Sequence, residues 1–164
     1  MTLVRLWSLL FRIFYRKLEV DGIQNVPKNK PILFVSNHTN ALLDPFCIMV
    51  ALNRRIMITA RSTLSGFPFF GMFMKWLGVI TFDRSQDKMK HRVRDHNIRS
   101  IQKCSDAIHE GNFICIFPEG QSHSDHQLRP FKNGAARIVL DYQERFGKHQ
   151  SLYIVPVGLF FKDK

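Results

Sequence analysis

Short apolar runs alternate along this chain with longer stretches in which apolar residues recur every three or four positions. The runs at 31–36, 56–60, 79–82, 113–117 and 152–157 have strand length and are rich in Ile, Val, Leu and Phe. Val93, Ile98, Ile101, Cys104 and Ile108 make the apolar side of a helix that stops before Gly111-Asn112. Ala135, Ile138, Val139, Tyr142 and Phe146 do the same ahead of Gly147, which suits a C-terminal cap. Asp44-Pro45 reads as an N-cap followed by a proline at the first helical position, opening a helix over 46–52. Strands alternating with helices predict an α/β domain: a mixed, largely parallel sheet flanked by helices. No repeat, low-complexity tract or linker interrupts it, and the last strand lies close to the end of the sequence, which fits the N-terminal portion of a longer protein.

The first residues follow a different pattern, dividing the chain into a segment over 1–18 and the α/β domain over 19–164. As a helix, 1–18 gathers Arg5, Ser8, Arg12 and Arg16 on one narrow stripe, while Leu3, Leu6, Trp7, Leu10, Phe11 and Phe14 cover the rest. A wide apolar face with a tryptophan and a basic edge predicts an amphipathic helix lying in a membrane interface. A core helix docked on its own domain is the other reading. Arg5 and Arg12 confine the apolar run to 6–11, too short for a secretory signal. The longest uncharged run, 62–74, has 13 residues and contains a proline and two glycines, so no spanning helix is expected.

Composition narrows the partners. Apolar residues make up 45% of the 164, enough to bury the core of one domain and too many for a disordered chain. The 24 Lys+Arg exceed the 13 Asp+Glu by 11, which points to an anionic partner. Residues 83–103 concentrate this charge in Arg84, Lys88, Lys90, Arg92, Arg94, Arg99 and Lys103. No aromatic interleaves them, so the stacking platform of a single-strand binder is missing. A solvated face, or one meeting anionic lipid headgroups, fits better than nucleic acid. The three cysteines are odd in number and lack zinc-ligand spacing, which favours a reducing compartment.

Polar residues collect after the strands: Asn37-His38 after the first, Arg61 after the second, Asp83-Arg84 after the third and Pro118-Glu119-Gly120 after the fourth. If these strands are parallel, His38, Arg61, Arg84 and Glu119 meet at the carboxyl edge, where open α/β sheets bind ligands. Two guanidinium groups there call for an anion, most often phosphate. A histidine can take a proton near neutral pH, and a carboxylate on its other nitrogen would orient it. His38 and Asp44, six positions apart, meet only if the loop folds back before the helix; otherwise Asp44 is simply an N-cap. No Gly-x-Ser-x-Gly elbow, Walker loop or Gly-x-Gly-x-x-Gly occurs. Ser122-His123-Ser124-Asp125-His126 has metal-binding residue types without a third ligand at recognisable spacing, and reads as a polar loop closing the site.

Four segments in order resemble the motifs of the glycerophospholipid acyltransferases: Asn37-His38 with Asp44-Pro45, then 78–84, then Phe117-Pro118-Glu119-Gly120, then 154–158. The resemblance runs from about Val20 onward and implies an α/β enzyme on a membrane, with no metal, resident cofactor or covalent intermediate. It implies His38 as general base, Asp44 as its orienting partner, Arg84 on the acceptor's phosphate and Arg61 where members often carry a lysine facing that phosphate. It also implies that Glu119 and Gly120 shape the acceptor site and Pro156 the substrate pocket. The co-substrate would be an acyl thioester, acyl-CoA or acyl-carrier protein, and the acceptor a glycerophosphate or lysophospholipid. The expected location is peripheral, on a membrane lipid surface at its cytoplasmic face.

The pattern departs from the family in two places. Five residues rather than four separate His38 from Asp44, and the third motif continues Gln121-Ser122-His123 instead of Thr-Arg-Ser. Lys132 or Arg129 would then replace the missing arginine. These departures resemble a branch that includes glycerol-3-phosphate/dihydroxyacetone-phosphate acyltransferases. A non-catalytic, basic membrane-binding module is the alternative function.

Overall fold

The computed structural model describes residues 17–41, 43–62, 78–83, 90–123, 127–148 and 150–161. Five strands run through them: β1 (Ile32–Ser36), β2 (Met57–Arg61), β3 (Ile80–Phe82), β4 (Ile114–Ile116) and β5 (Tyr153–Val157). Helices α1 (Leu43–Leu52), α2 (Lys90–His109) and α3 (Gly134–Phe146) lie between them. Each strand begins and ends within one residue of its expected run. All but the last two residues of the helix expected over 1–18 lie outside the described residues, as does Arg84. No helix among the described residues is long and apolar enough to cross a membrane.

The sheet has the order β3-β2-β4-β1-β5. Each described pairing is parallel: β1 with β4 and β5, and β2 with β3 and β4. A parallel sheet is covered on both faces, so its central strands are apolar without alternation. Accordingly Ile114-Cys115-Ile116 of β4 is buried throughout. Leu33, Ile114 and Ile116 turn to one face and pack against Ile101, Cys104 and Ile108 of α2 and Ile138 and Tyr142 of α3. Ile32, Phe34 and Cys115 turn to the other and pack against Ile48 and Met49 of α1. The period-two alternation of side chains thus divides one sheet between two apolar cores.

Two helix expectations need correction. Ile98 does not join the apolar side of α2 but lies exposed, and its neighbours Asn97 and Ser100 hydrogen-bond to β3 and the residue after it instead. Helix α1 starts at Leu43, not after Asp44. The capping oxygen comes from Asn40, whose side-chain Oδ1 accepts the Leu43 N–H at 3.4 Å. Asp44 sits in the first turn, its own N–H donating to the Asn40 carbonyl at 3.1 Å. Helix α2 stops where expected: the Gly111 N–H returns to the Ile108 carbonyl and the Asn112 N–H to that of Ala107. This Schellman closure needs a left-handed residue, and Gly111 supplies φ 86°.

Cys47, Cys104 and Cys115 are free and buried. Burial pushes the Cys47 and Cys104 thiols up to about 12, and it raises Cys115 as well. In the unfolded chain a thiol ionises near 8.5. Between that value and about 12 the unfolded state releases protons that the fold retains, so stability falls as pH rises through this window. Ellman's reagent at pH 8 is expected to find no reactive thiol in the folded protein and three in guanidinium chloride. Rapid native labelling would mean that the core is not closed over them.

Candidate active site

Strands β1 and β4 are neighbours, but the helices that follow them leave on opposite faces, α1 from β1 and α3 from β4. Such a switch point opens a crevice at the carboxyl ends. Asn37-His38 leaves β1 there, and Phe117-Pro118-Glu119-Gly120 leaves β4. Asn37 holds its loop in place through both peptide groups of Leu159, beyond β5: its Nδ2 donates to the carbonyl at 2.9 Å and its Oδ1 accepts the N–H at 2.7 Å.

The backbone after His38 folds back over the start of α1. The Asn40 N–H donates to Asp44 Oδ2 at 2.8 Å, and the same oxygen meets His38 Nδ1 at 2.9 Å. The separation of six residues is therefore bridged by the loop, not by a helical face. Asp44 is wholly buried, where an uncompensated carboxylate would be costly. An ionised carboxylate only accepts, so this contact places the proton on Nδ1 and leaves the Nε2 lone pair free to take another. The His38 ring stacks on Phe117, centroids 4.0 Å apart, and its side chain keeps 15% exposure. It is held on one face and one nitrogen yet still reaches solvent.

The β4 loop is a tight turn in which the Gly120 N–H returns to the Phe117 carbonyl at 3.0 Å. Gly120 has φ 70°, and a Cβ there would lie 3.0 Å from Lys132 Cδ and Nζ. The left-handed conformation favours glycine, and a side chain there would also have to displace the flexible end of Lys132. The Lys132 N–H donates to the Pro118 carbonyl at 2.8 Å, keeping this exposed lysine beside the turn. Glu119 is buried, and its carboxylate meets His123 Nε2. The His123 N–H donates to the His38 carbonyl at 3.0 Å, sewing the two loops together.

A second network holds the β2 and β3 ends. Arg61 is the last residue of β2 and is half-buried. Ser62 donates its hydroxyl to the buried Asp83 carboxylate, which also faces His96 Nδ1 at 3.5 Å. Asn97 on α2 grips the Asp83 backbone twice, accepting its N–H at 2.8 Å and donating to its carbonyl at 2.9 Å. Ser100 donates to the Thr81 carbonyl at 2.6 Å. The next residue, Arg84, is outside the described ones. Arg129 is half-buried on the loop leading to α3, and Pro156 lies exposed on the edge strand β5, paired with Val35.

The expected site residues thus fall into groups. His38, Asp44, Glu119 and Gly120 with Lys132 come together at the switch point, Arg61 stands at the carboxyl end of β2, and Pro156 stands near the carboxyl end of β5, beside β1. The reading of the sequence missed Asn97 and Ser62, and it placed His123 in a polar loop closing the site without giving it a partner. Asn97 and Ser100 carry a faint signal as polar residues interrupting the buried side of α2. The loop of His123 is legible, but a polar loop residue does not announce which carboxylate it will face. Among the described residues no three His, Cys, Asp or Glu gather as metal ligands.

A family model described as Acyltransferase matches residues 17–159. A chloroplastic 1-acyl-sn-glycerol-3-phosphate acyltransferase of Brassica napus is 25% identical over 138 residues, 84% of this chain and 38% of that protein. The 1-acyl-sn-glycerol-3-phosphate acyltransferase of Borreliella burgdorferi is 28% identical over 124 residues, 76% of this chain and 46% of that one. The crystal structure of the 1-acyl-sn-glycerophosphate acyltransferase PlsC of Thermotoga maritima shares the fold, with a TM-score of 0.61 at 18% identity. That likeness covers 85% of this chain and 53% of PlsC. This chain therefore spans less than half the length of these two curated relatives.

The Asn97 clamp is testable by stability. Alanine there removes both bonds and strands the Asp83 peptide groups, a loss of about 1–3 kcal/mol per unsatisfied buried group. Urea unfolding of Asn97→Ala is expected to show a lower midpoint with an unchanged m-value. A midpoint equal to that of the parent would show that the clamp contributes nothing.

Proposed function

The chain belongs to the acyltransferase family, and on that premise we propose that it moves a fatty acyl group from an acyl thioester to a hydroxyl of a glycerophosphate acceptor in phospholipid synthesis. What carries this reading is the His38–Asp44 contact of 2.9 Å at the switch point of the sheet, with the ring half enclosed by Phe117. The donor is acyl-CoA or acyl-carrier protein, and no resident cofactor is needed. Among glycerol 3-phosphate and the lysophospholipids, the names of the relatives favour a 1-acyl-sn-glycerol 3-phosphate.

In this mechanism the acceptor O–H bond breaks as its oxygen adds to the thioester carbonyl carbon, and the proton passes to His38 Nε2. Asp44 holds the Nδ1 proton and stabilises the imidazolium that forms. The resulting oxyanion needs fixed donors. The Gly120 N–H already closes its own turn, so the peptide N–H groups of Asn37-His38 are the better candidates. Collapse breaks the C–S bond, and the thiolate recovers the proton from His38. Arg61 and Arg84 take the acceptor's phosphate, with Lys132 or Arg129 in place of the arginine absent from the third motif. Glu119 and Gly120 shape the acceptor site, and Pro156 lines the pocket.

The membrane lipid surface is part of the proposal. The exposed side chains of Arg92, Arg94, Arg99 and Lys103 give α2 a basic surface suited to anionic headgroups. An amphipathic segment over 1–18 would add an apolar anchor and hold the enzyme peripherally on the cytoplasmic side.

Thiol release from acyl-CoA, measured with a panel of glycerophosphate acceptors, is expected to require the acceptor. His38→Ala should lower kcat by about 10²–10⁴ with the far-ultraviolet dichroism retained, and full turnover in that variant would remove His38 as the base. Asp44→Asn is expected to lower kcat more than it raises the acceptor KM. Arg61→Ala should raise the acceptor KM by about 10–100-fold, the loss of a charge-assisted hydrogen bond; an unchanged KM would take Arg61 off the phosphate. Liposome binding without thiol release by the parent protein would favour a non-catalytic membrane module.

A further inference from the structure

Glu119 leaves β4 at the switch point with its side chain wholly buried. A buried carboxylate needs donors, and this one makes a single hydrogen bond among the described residues, to His123 Nε2. Its second oxygen, Oε1, has no partner among them. The His123 side chain is itself only 4% exposed, so its ring belongs to the interior of the loop and not to its surface. The same residue uses its main chain to reach the other half of the site, its N–H donating to the carbonyl of His38 at 3.0 Å.

Resting on the acyl-transfer reading above, we infer that His123 is a positioning residue that sets the Glu119 carboxylate and the His38 loop in one fixed relation. Neither contact brings the His123 ring to a substrate; it acts through the two residues it holds. The ring fixes which way the carboxylate faces, because Nε2 occupies Oε2 while Oε1 stays buried. The peptide N–H fixes the main chain of the base, whose ring is otherwise located by Asp44 and Phe117. Without the ring, the buried carboxylate loses its donor and the 119–123 turn its internal contact, and the strain passes to the His38 carbonyl. The inference concerns a segment in which this chain departs from the Thr-Arg-Ser of the family it resembles, and it gives that departure a function.

Geometry selects the variants. Nε2 of histidine is the atom in contact, and the side-chain nitrogen of glutamine reaches to about the same place, whereas alanine offers no donor. His123→Ala is expected to lower kcat/KM for the acceptor by about 10²-fold, the usual scale for a small misplacement of reacting groups, with the acyl-CoA KM unchanged. His123→Gln should restore most of that loss. In the Glu119→Gln background, His123→Ala should cost far less than in the parent, because the partner of the ring is already altered. The ring resonances of His38, followed by nuclear magnetic resonance, should shift in His123→Ala and return in His123→Gln. The inference is overturned by unchanged kinetics in His123→Ala, by a His123→Gln variant as impaired as alanine, or by additive losses in the double variant. If the parent protein releases no thiol at all, the acyl-transfer reading fails, and the His38 resonances still decide whether His123 positions that ring.

Discussion

The parallel pairing of β1 with β4 is the constraint on which the molecule turns. Val35 opposite Ile116 means that both chains leave the sheet at the same edge. Because α1 and α3 pack on opposite faces, the two outgoing loops diverge and leave a crevice between them. Everything polar at this edge follows: His38 on one wall, Glu119 on the other, and a main-chain hydrogen bond from His123 to His38 across the gap. An antiparallel β4 would send Glu119 to the far end of the sheet, and the apolar cores could survive that change while the site could not.

The buried acidic residues among those described are Asp44, Asp83 and Glu119, and each follows the carboxyl end of a strand. Each fastens a loop: Asp44 takes His38 and the Asn40 N–H, Asp83 takes Ser62 from the end of β2, and Glu119 takes His123. Buried charges are poor sources of stability, since desolvation offsets much of the attraction. Their use here is geometric, because a carboxylate accepts from several directions and so locks segments distant in sequence into one arrangement. The asparagines extend the device with neutral groups, Asn37 gripping Leu159 and Asn97 gripping Asp83 through both peptide atoms. Stability comes from the two apolar cores, and the polar edge draws on it.

How much of this was legible beforehand depends on range. Strands were, because an apolar run of five residues between turns has few other solutions, and parallel direction followed from the intervening helices. The meeting of His38 with Asp44 was open, since it depends on a turn held by hydrogen bonds of Asn40 to Leu43 and Asp44. The start of α1 was misplaced because Asp44 has the composition of a cap but is occupied by the histidine, and Asn40 caps in its stead. Ile98 was misjudged because helical periodicity counts apolar residues, whereas the buried side of α2 near its start also carries Asn97 and Ser100, whose partners are backbone atoms of another element. The pairing of His123 with Glu119 was invisible for the same reason. Polar contacts between distant loops leave no period in a sequence.

The arrangement of charge bears on what the site selects. At the carboxyl ends of the strands the acids Asp44, Asp83 and Glu119 are buried, whereas Arg61 and Arg129 are half-buried and Lys132 is exposed. On the proposed reading an approaching anion meets these cations first, with the screening of solvent only partly removed, and the acids are hidden from it by burial. A phosphate is then arrested at these cations, and only a hydroxyl tethered to it by a short linker reaches His38. A free alcohol would have no such contact and would have to enter the crevice on apolar burial alone. An acceptor with the phosphate and hydroxyl joined too closely would be held out of reach of Nε2. On that reading, selection for a glycerophosphate would rest on the separation between the phosphate-binding cations and His38.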